Sequence, residues 1–132
     1  MNRILVLLFM PFLVSCSLFS PEDGSLISRP FSDVDTNREI VISTNRTFEI
    51  VLASNRSTEY SWVLQIDHPE VVSRVSDTYI ADKSGRIGVA GETIWLLRSN
   101  NKGNAVLTFS YQRPSEEEIA PSRVVKFIIA VR

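Results

Sequence analysis

Few side chains in this sequence could carry out chemistry of their own. Its 132 residues include one cysteine, Cys16, and one histidine, His68. Asp67 and Glu70 lie beside His68 in a proline-containing turn, but covalent catalysis needs a nucleophile, a base and an orienting group within mutual reach. Zinc needs three or four Cys, His or carboxylate ligands, and the sequence has no such cluster. We therefore expect a protein that is not an enzyme and that needs no cofactor or metal.

The chemistry expected of Cys16 is acylation. Residues 4–14 are apolar and follow Arg3. As a helix they would span only about 17 Å, so they suit a secretory leader better than a transmembrane anchor. The sequence Val14-Ser15-Cys16 resembles the bacterial lipobox. This resemblance implies a signal peptide over residues 1–15 and a lipid on Cys16 that holds the protein at a membrane. An ordinary secretory leader is the alternative.

The segment after Cys16 predicts a flexible connection. Residues 16–36 are rich in Ser, Pro and Gly and lack an apolar period, which is typical of a tether. Ser17 stands where an aspartate would resemble an inner-membrane retention signal. We therefore expect the protein in the bacterial cell envelope, at the outer membrane where two membranes exist.

Composition predicts one folded domain and excludes one class of partner. The sequence is 44% hydrophobic and 22% charged, with 14 basic and 15 acidic residues and a net charge of −1. These proportions are typical of a globular protein. No basic block is present, so we expect no binding to nucleic acid. A single cysteine allows no intrachain disulfide, and we expect a monomer held by its hydrophobic core.

Residues 37–132 show the period-two alternation of half-buried strands. The regular strands are predicted around residues 48–52, 60–66, 107–111 and 125–131, with further strands at 38–43, 71–81 and 92–98. Turn-forming residues separate them. The only local helix signal is Ser115 to Glu118, whose Ser-x-x-Glu spacing suits a capping box. Seven to eight short strands predict an all-β, immunoglobulin-like β-sandwich.

Three segments between these strands form a set. The first is Asn55-Arg56-Ser57-Thr58-Glu59-Tyr60 followed by Trp62, the second is Gly88-Val89-Ala90-Gly91, and the third is Arg113-Pro114-Ser115 after Tyr111. In this order they resemble the loop motifs of the chagasin family of papain-type cysteine protease inhibitors. The resemblance covers about residues 37–132, nearly the whole domain.

The resemblance implies a mechanism and a partner. In this family the three loops cluster at one end of the sandwich and occlude the cleft of a papain-like cysteine protease, from the host or from the same organism. The first loop enters beside the catalytic pair, and the other two contact the walls of the cleft. Tyr60 and Trp62 have a second interpretation as core residues, because both alternate into the sheet.

The sequence departs from the motifs at three positions. Arg56 replaces a proline, Glu59 a glycine and Ser115 a tryptophan. An Arg56–Glu59 ion pair would order the tip of the first loop in place of the proline. If the departures abolish inhibition, the alternative is a lipid-anchored immunoglobulin-like module that binds another protein of the envelope.

Overall fold

The computed structural model describes residues 25–115 and 119–132. In this part of the chain there are seven strands, in positions close to those that the alternation predicts, and two short 3₁₀ turns (Asp33–Asp35 and Arg56–Thr58). The strands are β1 (Glu39–Ile42), β2 (Thr47–Ser54), β3 (Ser61–Ile66), β4 (Val72–Ile80), β5 (Gly91–Ser99), β6 (Gly103–Gln112) and β7 (Arg123–Val131).

The strands form two sheets that face each other. One sheet has the order β1-β7-β6-β3 and the other the order β2-β5-β4. Strands β1 and β7 pair in parallel, and the other pairs are antiparallel. This arrangement confirms the predicted all-β, immunoglobulin-like sandwich.

The core lies between the sheets and consists of the inward-facing residues of the alternating strands. Phe109 of β6 is at its centre, with its ring centroid 5.3 Å from that of Trp95 and 5.7 Å from that of Phe127. The fully buried large side chains include Phe48, Ile50, Leu97, Leu107, Phe109, Phe127 and Ile129. At about 25 cal/mol per Å² of apolar surface, this burial is the main stabilising contribution to the fold.

The segment before β1 corrects the predicted boundary of the domain. Residues 25–36 belong to the predicted tether, but Leu26 and Phe31 form parallel bridges with Thr47 and Ile50 of β2. The Phe31 ring is buried and packs edge-on against Phe48 at 6.1 Å. The tether prediction is therefore wrong for residues 25–36, because one aromatic side chain and the free edge of β2 hold this segment on the sandwich.

Other predictions fall outside the described residues. The leader, Cys16 and residues 17–24 lie there, as does most of the predicted helical turn from Ser115 to Glu118. Among residues 25–115 and 119–132, no helix is both long and apolar enough to span a bilayer.

Candidate functional site

Three loops leave the sandwich at the same end. They are L1 (residues 55–60, between β2 and β3), L2 (residues 81–90, between β4 and β5) and L3 (residues 113–122, between β6 and β7). Strand register sets their common position. The end of β2 at Ser54 pairs with Gly91 at the start of β5, and Ser61 at the start of β3 pairs with Gln112 at the end of β6. The loops therefore emerge side by side.

L1 is a capped 3₁₀ turn. The Asn55 side-chain oxygen accepts hydrogen bonds from the backbone N–H of Ser57 at 3.1 Å and from its hydroxyl at 2.6 Å. The Thr58 hydroxyl donates to the Asn55 carbonyl at 2.8 Å. These bonds satisfy polar groups that a turn of three residues leaves unpaired. The Asn and Thr of the motif thus shape the turn from within.

The turn ends at Glu59 in a left-handed conformation. Its φ is +63° and its ψ is 0°. A residue with a Cβ atom costs about 1–2 kcal/mol in this region, whereas glycine enters it freely. This explains why the family motif has a glycine at this position. It also means that Glu59 strains the backbone of L1.

A tyrosine of β6 fastens the start of L1. The Tyr111 hydroxyl accepts from the backbone N–H of Asn55 at 3.0 Å and donates to the Asn55 carbonyl at 3.3 Å. The Tyr111 ring is stacked on Tyr60 at 5.4 Å and lies 4.8 Å from Trp62. One side chain therefore holds both ends of L1 against the sheet.

L1 also contacts both of its neighbouring loops. The Asn55 side-chain amide donates to the Gly88 carbonyl of L2 at 3.3 Å. The Arg113 guanidinium of L3 lies 4.9 Å from the centre of the Tyr60 ring, within cation–π range. L1 thus lies between L2 and L3, the arrangement that the family resemblance implies.

L2 is an exposed loop that needs unusual backbone angles. Gly85 and Gly88 have φ values of +66° and +86°, in the left-handed region that glycine enters without a steric cost. A groove of about 320 Å³ separates L2 from L1, with Asn55, Ser57 and Tyr79 on one part of its lining. The Ser84 hydroxyl and N–H donate to Asp82 and lower the pKa of that carboxyl, so L2 carries this negative charge beside Lys83 and Arg86.

The predicted site residues divide into exposed and buried groups. The exposed residues are Arg56, Ser57, Thr58, Glu59, Gly88, Val89, Ala90, Pro114 and Ser115. Asn55, Tyr60 and Arg113 are half-buried between the loops. The prediction of Gly91 as a loop residue is wrong, because it begins β5 and is buried there. Gly91 therefore lies directly after L2, where β5 begins.

Two predictions about side-chain contacts have clear outcomes. The Arg56–Glu59 ion pair does not form among the described residues, because the Arg56 guanidinium lies 4.2 Å from the centre of the Tyr79 ring. Trp62 is a core residue whose indole N–H donates to the Ala53 carbonyl at 2.9 Å, which links the two sheets. Two further residues at the loops carry no signal in the sequence: Tyr79 of β4, and Ile87 of L2, whose side chain is 99% exposed.

His68 lies away from the loops. It is exposed in the turn before β4, and its Nδ1 is 3.0 Å from the Glu70 carboxylate. This contact contributes to the lowered pKa of Glu70, after the effect of Glu70's own backbone. Within residues 25–115 and 119–132, no group of three His, Cys, Asp or Glu side chains is placed to hold a metal ion.

The fold and the loops together define an immunoglobulin-like sandwich that presents a cluster of three loops at one end. Residues 41–131 match the model of the family described as chagasin family peptidase inhibitor I42. The chain therefore belongs to the chagasin family of peptidase inhibitors. This membership fits the expectation that the protein is not an enzyme and supports protease inhibition as its activity.

Solved structures share the fold. The crystal structure of the cysteine protease inhibitor EhICP2 from Entamoeba histolytica aligns with a TM-score of 0.69 and 21% identity, covering 83% of this chain and 97% of that one. The solution structure of Amebosin aligns with a TM-score of 0.62 and 23% identity, covering 83% and 99%. At these identities the likeness is one of fold.

A curated relative matches part of the chain. T-cell surface protein tactile of Rattus norvegicus is 32% identical over 77 residues, which is 52% of this chain. The chain spans only 13% of that protein's length, so the match concerns one segment of a much longer molecule.

Proposed function

We propose that this protein inhibits papain-type cysteine proteases by inserting L1 into the active-site cleft while L2 and L3 contact the cleft walls. The observation that carries the proposal is the contact of L1 with both neighbours, through Asn55 to Gly88 and through Tyr60 to Arg113. A set of loops already joined in the free protein loses little conformational entropy on binding, which favours affinity.

The shape of L1 favours occlusion over cleavage. The Asn55 carbonyl already accepts hydrogen bonds from Tyr111 and from the Thr58 hydroxyl, so it is turned toward the domain. Attack by a thiolate needs the carbonyl carbon about 3–3.5 Å away with aligned orbitals. A 3₁₀ turn followed by a left-handed residue does not present its peptide bonds in this way. L1 would therefore fill the cleft without forming an acyl-enzyme.

L2 and L3 would supply contacts beside the cleft. Ile87 gives L2 an exposed apolar side chain. The exposed residues of L3 that the structure describes are Pro114, Ser115, Ile119, Ala120 and Ser122. Ser115 lacks the large apolar surface of the motif's tryptophan, and a buried interface tryptophan often contributes about 2 kcal/mol or more. We therefore expect weaker inhibition than the full motif would give.

The test is a titration of residues 17–132 against papain and cathepsin L with a fluorogenic peptide substrate. We expect reversible, dose-dependent inhibition, with the inhibitor chain intact on a denaturing gel afterwards. Absence of inhibition at tens of micromolar would overturn the proposal and leave the non-inhibitory binding module. Cleavage of the chain within L1 would show a substrate rather than an inhibitor.

A matched pair of variants tests the role of L1. Thr58 and Thr78 are both exposed, but Thr58 lies in L1 and Thr78 on β4. Thr58→Arg adds bulk where the cleft would close around L1, so it should abolish inhibition. It also removes the exposed hydrogen bond to the Asn55 carbonyl, so the melting temperature should fall only slightly. Thr78→Arg should inhibit like the unmodified chain.

We also propose that lipid on Cys16 anchors the protein with its loops facing away from the membrane. Leu26 bridges Thr47 at the start of β2, whereas L1 follows the end of that strand. Eight residues of strand separate these points, about 26 Å at 3.3 Å per residue. The described chain thus enters the domain at the end opposite the loops, which favours free access of a protease to L1.

A further inference from the structure

Tyr79 lies at the junction of two of the loops without belonging to either. It is the penultimate residue of β4 and is half-buried. A Cβ atom built on Gly91 would stand 2.3 Å from the Ile80 carbonyl oxygen, 2.7 Å from the Tyr79 hydroxyl oxygen and 2.9 Å from the Tyr79 Cζ. Only a glycine leaves room there for both the β4 backbone and the phenol. Because Gly91 follows L2 directly and pairs with Ser54 just before L1, the Tyr79 side chain is packed at the base of both loops.

Arg56 connects the same ring to L1. It is the first residue of the 3₁₀ turn, and its guanidinium carbon lies 4.2 Å from the centre of the Tyr79 ring. A guanidinium at this distance from an aromatic face is attracted by the ring quadrupole. The contact extends Arg56 away from Glu59 and toward β4, so the first half of L1 is tied to the edge strand of the three-stranded sheet.

Arg56 stands where the family motif has a proline. A proline fixes φ near −65° and suits the first residue of a helical turn. Arginine has no such restriction, and L1 also contains the strained Glu59 at φ +63°. Without proline, contacts outside L1 must keep the turn in a single conformation. Tyr111 supplies them for Asn55, and Tyr79 supplies one for Arg56.

We propose that Tyr79 is a positioning residue for the inhibitory loops, and that the Arg56–Tyr79 pair takes over the stiffening role of the missing proline. Tyr79 holds L1 through Arg56 and the base of L2 through Gly91, so it keeps the two loops at a fixed spacing. This proposal rests on the proposed function, because fixed spacing matters for fitting a cleft. It assigns no contact with the protease to Tyr79.

The test is a double-mutant cycle read by the inhibition constant for papain. We expect Arg56→Gln and Tyr79→Leu each to raise the inhibition constant about three- to tenfold, the range of a partly exposed cation–π contact. The double variant should be no worse than Tyr79→Leu alone, because Tyr79→Leu already removes the contact with Arg56. Tyr79→Phe keeps the ring and should keep inhibition. Arg132→Gln removes an exposed arginine at the other end of the sandwich and serves as the matched control. Additive effects would overturn the proposal.

Restoring the proline gives an independent check. Arg56→Pro should inhibit at least as well as the unmodified chain and should make inhibition less sensitive to Tyr79→Leu, which then removes only the packing of the ring on Gly91. If Tyr79→Leu weakens Arg56→Pro as much as it weakens the unmodified chain, the two residues are not a substitute for proline and the proposal fails.

A readout without protease separates this proposal from the proposed function. Amide hydrogen exchange in residues 56–59 reports the opening of L1 directly. Arg56→Gln, a surface change that leaves the core intact, should speed exchange there and leave β6 unchanged. Unchanged exchange in L1 overturns the coupling even if the protein inhibits papain. Faster exchange in a protein that inhibits no protease supports the coupling and overturns only the proposed function.

Discussion

The hydroxyl of Tyr111 bonds both backbone polar atoms of Asn55, as acceptor from the N–H at 3.0 Å and as donor to the carbonyl at 3.3 Å. Tyr111 lies on β6 in one sheet, and Asn55 follows β2 in the other. The contact therefore connects the two sheets at the point where L1 begins. It makes the conformation of L1 dependent on the packing of the whole sandwich.

Tyr111→Phe should loosen L1 while keeping the stacked ring. It removes two half-buried hydrogen bonds, so we expect a loss of about 1–2 kcal/mol in the free energy of unfolding and weaker inhibition. Urea denaturation measures the first. Tyr60→Phe is the control, because the Tyr60 hydroxyl makes no hydrogen bond within the described residues. Equal effects of the two changes would contradict the role assigned to the Tyr111 hydroxyl.

Glu59→Gly should stabilise the protein. Relief of the left-handed strain should raise the free energy of unfolding by about 1–2 kcal/mol. The larger entropy of glycine in the unfolded chain should lower it by about 0.5–1 kcal/mol, so we expect a net gain of about 0.5–1 kcal/mol. Asn45 is a matched control, since it also has a positive φ, of +56°, but asparagine tolerates that region. Asn45→Gly should therefore change the urea midpoint little. A loss of stability in Glu59→Gly would show that its side chain has a stabilising role.

The strands could be predicted from the sequence because the apolar residues that alternate along them are the residues buried in the core. Phe48, Ile50 and Leu52 are buried as their spacing requires. The same reasoning failed for residues 25–36, where Phe31 is an isolated apolar residue beside Pro30. Its burial depends on the position of Phe48 and on an unpaired strand edge, and neither is a local property of that segment.

The site was predictable only where a motif marks it. The three motif segments contain Asn55, Gly88 and Arg113. Asn55 of L1 contacts Gly88 of L2, and Arg113 of L3 contacts Tyr60 of L1. Tyr111 alternates like any core aromatic, so nothing local indicates that its hydroxyl reaches Asn55. Tyr79 was missed for a different reason. Strand β4 has a register shift between Arg74 and Ser76, which breaks the alternation that would have placed the ring.

Ile87→Ala should weaken inhibition without affecting folding. The side chain is 99% exposed in the free protein, so its removal creates no cavity. If it is buried against a protease, we expect a loss of about 1–2 kcal/mol of binding, or roughly five- to thirtyfold in the inhibition constant. Val41→Ala is the control, because Val41 is 63% exposed on β1, away from the loops. An Ile87→Ala variant that inhibits normally would remove this side chain from the interface.

Asp35 should make stability depend on pH in acid. Its buried carboxylate accepts from Arg29 at 2.8 Å, from the Ser32 N–H at 3.0 Å and from Arg38. The pKa of the Asp35 carboxyl is held well below its usual range. The hydrogen bond from Arg29 is the largest cause of this lowering, whereas burial of the carboxyl acts to raise the pKa. Because the pKa is lower in the folded state, this stabilisation is complete above about pH 4–5, near the unfolded pKa, and is lost as the pH falls below it.

Asp35→Asn tests this directly. At pH 7 we expect it to lower the free energy of unfolding by about 2 kcal/mol, and the difference from the unmodified chain should shrink as the pH is lowered toward 2.5. Asp33→Asn is the control, since Asp33 forms an exposed pair with Arg123 that contributes little. A difference between Asp35→Asn and the unmodified chain that stays constant with pH would contradict the assignment.

Cys16→Ser should abolish acylation of the protein. Cys16 is the only cysteine in the sequence, so a thioether-linked lipid has a single possible site. Expressed from the full chain in a bacterium, the unmodified protein should incorporate labelled palmitate and sediment with membranes, and the variant should incorporate none. The membrane-bound form should also inhibit added papain as well as residues 17–132 do, because the described chain enters the domain opposite the loops. A cleaved, unlabelled protein would show an ordinary secretory leader, and a bound form without activity would place the loops against the membrane.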